Sequence, residues 1–394
     1  MIRLIMGITL SECGGSQRVV YDLAANLPES LYDVTVMTCP GGELLDWIHE
    51  LNKTRENKIK VIAARCFKRE ISLLHDAAAF FFVLKTLRRL KPDIAHFHNS
   101  KMGILGRLAA KLAGVPRVYY TVHGWGLNPK TTGRLYGAMS LLERAVSRLG
   151  TEVVFVSESD RETGIKNRWA SPSASRLIYN GIGESRAGGV YLREELGIPD
   201  GIPVLVFVAR LADPKDPVFA IRVSACLSMS GLEHRLLMVG DGPKRGECES
   251  LVRELGLGGR VMLLGQRDDV RSLLAEADIF CLFTKWEGLP ISVIEAMLAG
   301  LPVVANAVGG VPEIVEHGKT GFLLGGFDAA EAAGVLGRLI REKELRRTMG
   351  ENGRAAALAG FSLDGMVDGY RRLYELQEEK EIQGMKECPL TRAS

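Results

Sequence analysis

Short runs of branched apolar residues recur along this chain. Each is followed by a turn and then a stretch in which apolar positions return every three or four residues. In the first half the runs fall at 3–9, 33–38, 60–63, 94–98, 117–122 and 152–156, with helical periodicity over 16–27, 73–90, 103–113 and 132–148. The pattern restarts with runs at 203–208, 235–239, 260–264, 279–283 and 302–305. Continuous Val, Ile and Leu without alternation predict parallel strands covered on both faces, and the helices between them supply the cover. Two such series predict an α/β protein of two Rossmann-like, doubly wound parallel-sheet domains. The break follows Gly181, where 183–189 is rich in Gly and Ser and 197–203 adds Gly, Pro and Asp; the linker is placed at 183–203. The predicted units are 1–185, 186–362, an amphipathic helix over 363–380 and a polar tail over 381–394.

The length of 394 residues suits two domains, and 46% hydrophobic with 25% charged residues excludes wholesale disorder. Seven cysteines, an odd number without a CxxC pair, argue against a disulfide framework or zinc cage and for reduced thiols. The opening MIRLIMGITL reads as a first strand rather than a leader. The longest uniformly apolar stretch in the middle of the chain, 77–84, has eight residues, against the roughly 20 that a bilayer requires. A cytoplasmic protein is therefore expected. The net charge is only +3, but residues 1–180 carry 25 Lys and Arg against 16 Asp and Glu, and the remainder carries the acidic excess. Residues 53–117 hold 15 basic and four acidic residues. Within them HDAAAFFFVLKTLRRLK suits either a helix lying on an anionic membrane surface or a buried helix with a solvated basic end. No nucleic-acid recognition motif accompanies it.

The most informative stretch is WEGLPISVIEA, 286–296. Pro290 suits the first turn of a helix, whose free N–H groups and positive dipole end would face the Gly288-Leu289 loop, a ready phosphate site. Glu287 precedes that helix and Glu295 lies about one and a half turns inside it, placed to reach a ribose diol; a surface glutamate pair on an ordinary helix fits the spacing as well. A second turn, Gly309-Gly310-Val311-Pro312-Glu313, again sets glycines ahead of a helix at the carboxyl end of a strand, where doubly wound sheets bind ligands. Arg210 and Lys215 follow strand 203–208 and offer a guanidinium fork and a point charge for phosphate oxygens, or form an exposed basic loop. Gly14-Gly15 follows the first strand, where glycines let a ligand approach the backbone. His123-Gly124 ends strand 117–122, so that His123 serves either a ligand or the packing. His96 and His98 share one strand face at metal-ligand spacing, but no carboxylate or Cys completes a set, which points to packing or cleft lining. GxGxxG is absent, which removes a dehydrogenase reading.

Taken in order along about 320 residues, these motifs resemble glycosyltransferase family 4, the retaining GT-B nucleotide-sugar glycosyltransferases. The set is Gly14-Gly15, His123-Gly124, Asn180-Gly181, Arg210 with Lys215, Gly240-Asp241-Gly242-Pro243, Glu287 and Glu295 spaced E-x7-E around GLP, and GGVPE at 309–313. The resemblance implies two Rossmann-like domains facing across a cleft, acceptor on the first and nucleotide-sugar donor on the second, with the last helix crossing back to the first. It implies that Glu295 holds the donor ribose, that Glu287 contacts the transferred sugar, and that Arg210 and Lys215 bind the departing diphosphate. The backbone of Gly288, Leu289, Gly14 and Gly15 completes the phosphate cradle, His123 lies near the reacting sugar, and the loop from Gly265 through Arg267 to Val270 lies beside the base. Asp216 stands where the family often has glycine, an acid that would weaken or redirect Lys215.

The implied reaction is transfer of a hexose or N-acetylhexosamine from a nucleotide sugar, UDP-linked by preference, to a glycan or polyprenyl-diphosphate-linked acceptor in surface polysaccharide synthesis. No cofactor and no metal are expected, since Asp-x-Asp is absent and fixed cations can stabilise the leaving diphosphate. A peripheral contact with the inner face of the plasma membrane through 53–117 is expected. The alternatives are a nucleotide-sugar epimerase or phosphorylase on the same fold, or a non-catalytic sugar-nucleotide-binding protein.

Overall fold

A computed structural model describes residues 1–127, 132–184 and 192–386, with side chains to 375. Residues 185–191 of the predicted linker (183–203) and the last eight residues of the tail lie outside the described residues. The chain divides into two compact units, Met1–Gly181 with Leu363–Ser394, and Ile182–Ser362.

The first unit is built on seven strands: β1 Ile2–Gly7, β2 Tyr32–Thr38, β3 Lys60–Ala63, β4 Ile94–His98, β5 Arg117–Val122, β6 Glu152–Phe155 and β7 Ser175–Leu177. Their order is β3-β2-β1-β4-β5-β6-β7, and every pairing is parallel. Helices α1 Gly15–Asn26, α2 Glu43–Leu51, α3 Leu73–Leu90, α4 Ser100–Ala113, α5 Tyr136–Val146 and α6 Glu158–Lys166 connect them. Every residue of β1 except Arg3 is buried, as a strand covered on both faces requires. Against β4, α3 and α4 pack a core around Phe97, Val83, Leu87, Met102 and Ala109. Helices α4 and α5 are joined by an ion pair between Arg107 and Glu143, both fully buried. The Arg107 guanidinium also lies 4.3 Å over the Tyr120 ring, and its Nε donates to the Gly103 carbonyl at 2.7 Å.

The second unit holds β8 Val204–Val208, β9 Arg235–Val239, β10 Val261–Gly265, β11 Ile279–Leu282, β12 Val303–Asn306 and β13 Gly321–Leu324, ordered β10-β9-β8-β11-β12-β13. Its strands are parallel too. Its helices are α7 Leu192–Glu195, α8 Pro217–Met229, α9 Arg245–Glu254, α10 Val270–Glu276, α11 Ile291–Leu298, α12 Val311–Ile314, α13 Ala329–Arg341 and α14 Lys343–Gly360. In both sheets the order reverses between the first and fourth strands of the series, so each has a switch point where loops diverge and a ligand can enter.

The final helix, α15 Leu363–Lys386, runs six residues past the predicted end and packs on the first unit. Tyr370 and Tyr374 are buried there. The Tyr374 hydroxyl pairs with His96 Nδ1 at 2.6 Å, and the Tyr370 hydroxyl with Thr121 at 3.0 Å. Arg117 and Tyr119 donate to the backbone carbonyls of Tyr374 and Leu373. Among the described residues no helix is long and apolar enough to cross a membrane.

Candidate active site

At the switch point of the second sheet, the loop after β8 is clamped to the loop after β11. Asp216 N–H donates to the Phe283 carbonyl at 2.8 Å, and Lys285 N–H to the Pro214 carbonyl at 3.0 Å. Between these two bonds the Lys215 amine forms an ion pair with the Glu287 carboxylate, 72 positions away in sequence. Both side chains are mostly buried, 19% and 10% exposed, so the pair is weakly screened by solvent. Asp216 does not compete for the lysine. Its carboxylate caps α8, accepting from Phe219 N–H at 3.1 Å, with Pro217 in the first turn where no N–H is needed.

Two glycine turns hold these loops in place. Gly309, at φ +53°, lies so close to the Glu287 carbonyl that no Cβ fits, and Gly310 N–H donates to the Gly288 carbonyl at 2.8 Å. The GGVPE turn therefore backs the EGLP turn directly. Likewise Gly240, at φ +127°, lies against the Ala209 carbonyl, and Leu211 N–H donates to the Asp241 carbonyl at 2.9 Å. The Gly240-Asp241-Gly242-Pro243 turn thus fixes the segment carrying Arg210. Arg210 itself is exposed and forms no ion pair among the described residues. Beside it Asp213 takes Lys285 at 2.8 Å and Lys244 at 3.1 Å. The Lys285 hydrogen bond, then the one to Lys244, holds its carboxyl below the usual range.

Gly288 and Leu289 are buried. Pro290 is the residue flanking α11 rather than part of its first turn, because its ψ of 114° is extended. Glu295 is half-buried on α11, one turn from its start. Arg267 is engaged by carboxylates: Asp269 at 2.7 Å and Glu195 at 2.9 Å pull its pKa upward. It ties the Gly265–Val270 loop to α7, a bracing contact that the sequence did not signal. Gly265 makes the turn at φ +71° and accepts from Gly240 N–H at 2.7 Å, while Val270 opens α10.

The first unit has its own cluster at the carboxyl ends of β4 and β5. Gly14 flanks α1 and Gly15 is its first residue. His98 ends β4, and its Nδ1 shares a hydrogen bond of 2.9 Å with Nε2 of His123. The His96 ring lies tilted against that of His98, with centroids 4.2 Å apart, and its nitrogens are taken by Tyr374 and by Thr121 at 2.7 Å. Burial pushes all three imidazoles down, His96 and His123 to about 3, so they are neutral at physiological pH. His96 is a packing residue with no nitrogen to spare for a metal. Among the described residues no group of three or more His, Cys, Asp or Glu is arranged to hold one. Sequence reasoning placed His123 but gave His98 no part beside it; their hydrogen bond spans two strands and leaves no spacing signal.

Residues 13–186 match the family described as Glycosyltransferase Family 4, and 191–356 match Glycosyl transferases group 1. A D-inositol 3-phosphate glycosyltransferase of Corynebacterium jeikeium is 33% identical over 303 residues, covering 72% of each chain. The chain belongs to glycosyltransferase family 4. A UDP-Gal:alpha-D-GlcNAc-diphosphoundecaprenol alpha-1,3-galactosyltransferase of Escherichia coli is 29% identical over 368 residues, 91% of this chain and 93% of the relative. Among solved structures, Anabaena HepE in complex with UDP and glucose matches with a TM-score of 0.80 at 21% identity, over 95% of this chain and all of that one. The family 4 enzyme described here has the GT-B fold, and it is a glycosyltransferase acting on nucleotide sugars in glycan or lipid-linked biosynthesis.

Proposed function

We propose that this enzyme transfers a hexose or N-acetylhexosamine from a UDP-sugar to a glycan or polyprenyl-diphosphate-linked acceptor, retaining the anomeric configuration and using no metal. The observation that carries this reading is the Lys215–Glu287 pair at the switch point of the second sheet. It sets a cation and a carboxylate side by side in a mostly buried position, as breaking a glycosyl–phosphate bond requires. The sugar becomes oxocarbenium-like while the diphosphate gains charge. Lys215 and Arg210 neutralise the diphosphate oxygens, and Glu287 faces the positive anomeric centre. One such fixed group contributes about 3–4 kcal/mol to the transition state. Glu295 takes the ribose hydroxyls, Gly288 and Leu289 offer backbone N–H groups, and the loop of Gly265, Arg267 and Val270 borders the base. Arg267 acts there through Asp269 and Glu195, by bracing the loop.

The second unit accordingly takes the donor and the first unit the acceptor. There Gly14 and Gly15 offer backbone N–H groups to phosphate oxygens, and His123 hydrogen-bonds the reacting sugar. Front-face attack lets the departing diphosphate oxygen accept the acceptor hydroxyl's proton as the new glycosidic bond forms on the same face. No separate base is then required. The Escherichia coli relative, whose name states a UDP-Gal donor and a diphosphoundecaprenol acceptor, supports both substrate classes.

A peripheral contact with the inner face of the plasma membrane belongs to the same reading. On α3, Leu73, Leu74 and Phe81 are 88%, 84% and 64% exposed, and Lys85, Arg88 and Arg89 are exposed along the same helix. Large apolar side chains beside basic ones suit an anionic bilayer surface.

The test is a panel of nucleotide sugars with the purified chain, with and without a membrane extract as acceptor and with no added metal. The expected result is acceptor-stimulated release of UDP from one donor, lost in Glu287→Ala and Lys215→Ala, with the anomer retained in the product. Turnover independent of acceptor, or dependent on phosphate, would instead mark an epimerase or phosphorylase. Binding without turnover would mark a sugar-nucleotide-binding protein.

A further inference from the structure

The hydrogen bond between His98 Nδ1 and His123 Nε2 contains one proton, and only two arrangements supply it. If His123 donates, the single proton of His98 must sit on its other nitrogen, Nε2. That atom is sealed from solvent and has no hydrogen-bond partner among the described residues. The neighbouring ring cannot serve it, because both nitrogens of His96 are committed to Tyr374 and Thr121. If His98 donates from Nδ1, the sealed Nε2 carries only a lone pair. A buried N–H without an acceptor is the costlier and rarer defect, so the second arrangement prevails.

We propose that His98 is a positioning residue that fixes the tautomer of His123, so that His123 carries its proton on Nδ1 and offers a donor there. The proposal rests on the reading of His123 as a sugar-facing residue. His123 is half-buried, and its Nδ1 forms no hydrogen bond among the described residues. A fixed N–H at that point suits an oxygen of the transferred sugar, whereas a lone pair would repel it. Because burial keeps both rings uncharged at neutral pH, each holds one proton and the choice of tautomer is sharp. The residues touching the pair through His96 — Thr121, Tyr119, Tyr370 and Tyr374 — are hydroxyl-bearing and uncharged, so none overrides that choice.

The experiment is long-range proton–nitrogen correlation spectroscopy on the full chain with labelled histidine, with His123 and His98 assigned from single substitutions. The expected spectrum has both rings protonated on Nδ1. In His98→Phe, which keeps the ring and removes both nitrogens, His123 becomes a tautomer mixture. Acceptor-stimulated UDP release then falls about 5- to 10-fold in kcat, with donor KM within about twofold, the size of one lost hydrogen bond. His98→Asn, whose amide N–H stands near the place of Nδ1, restores both tautomer and kcat. A wild-type His123 protonated on Nε2 overturns the proposal, and so does a tautomer unchanged in His98→Phe. Should that variant not fold, the wild-type spectrum and His98→Asn still decide. If His123 is protonated on Nδ1 but His123→Ala turns over normally, the sugar-facing role fails and tautomer control stands.

Discussion

Substituting Glu287 by Gln is expected to tighten the binding of free UDP while slowing sugar transfer. The Lys215 amine is neutralised by the Glu287 carboxylate. A diphosphate that takes up this lysine must break that pair and also sit beside the carboxylate. A hydrogen bond to a charged group contributes about 1.5–3 kcal/mol, and the amide of Gln keeps the shape while removing the charge. Recovering the lower end of that range strengthens UDP binding about tenfold. Lys215→Ala loses a charge-assisted bond to phosphate and weakens UDP about 10- to 100-fold. Transfer falls about 100-fold or more in both variants, because each removes a group aimed at charge that develops in the transition state. The assay is titration calorimetry with UDP at fixed ionic strength, beside steady-state transfer. If Glu287→Gln weakens UDP as much as Lys215→Ala does, the carboxylate supports the diphosphate rather than opposing it, and the reasoning fails.

The buried Arg107–Glu143 pair gives a stability prediction: Glu143→Ala leaves an uncompensated cation and costs the first unit about 3–5 kcal/mol in urea unfolding, while Arg107→Met with Glu143→Leu restores most of it. Equal losses in the single and double variants would sink this account. The neutral, buried His96 and His98 make the first unit acid-sensitive. Below pH about 6.5 the unfolded chain binds protons that the folded rings refuse, so stability is complete above that pH and declines as the pH falls, toward about 3 for His96 and in the same direction for His98. Between pH 7.5 and 5.5 the loss is about 1.4 kcal/mol per ring, about 3 kcal/mol together, and a flat urea midpoint across that range would contradict it. Finally, Leu73→Ser, Leu74→Ser and Phe81→Ser each weaken sedimentation with anionic vesicles about tenfold, since each removes an apolar side chain otherwise buried in the bilayer interface. Unchanged binding in all three would remove α3 from the membrane surface.

Strands were the most legible part of the sequence, because a strand covered on both faces reads as a mostly apolar run rather than an alternation: β4, β5 and β9 fall at their predicted bounds, although β4 carries His96 and His98 and β5 carries Arg117 and Thr121. The edge strands β7 and β13 were not read, since three residues containing Ser and Arg, and four opening on Gly, give too little apolar run to register. In the second unit the glycine turns and the pair of glutamates were visible as motifs. Their joining was not, because the Lys215–Glu287 contact depends on two loops meeting at a switch point. Asp216 shows the same limit. Sequence sets its charge beside Lys215, yet the backbone turns the carboxylate onto the start of α8. Arg267 was read only as part of the loop beside the base, and its tie to Glu195, 72 residues earlier, left no signal in the sequence.

The order of synthesis acts unequally on the two units. The second is one unbroken stretch, Ile182–Ser362, complete as soon as it leaves the ribosome. The first waits for residues made after the second, because Tyr370 and Tyr374 close the surface over His96, Tyr119 and Thr121. At about 5–20 residues per second, the 181 residues from Ile182 to Ser362 delay that closure by roughly 10–40 s. During that interval the nascent first unit carries an uncovered face of aromatic and histidine side chains, the place at which a chaperone would find this chain while the second unit is still being made.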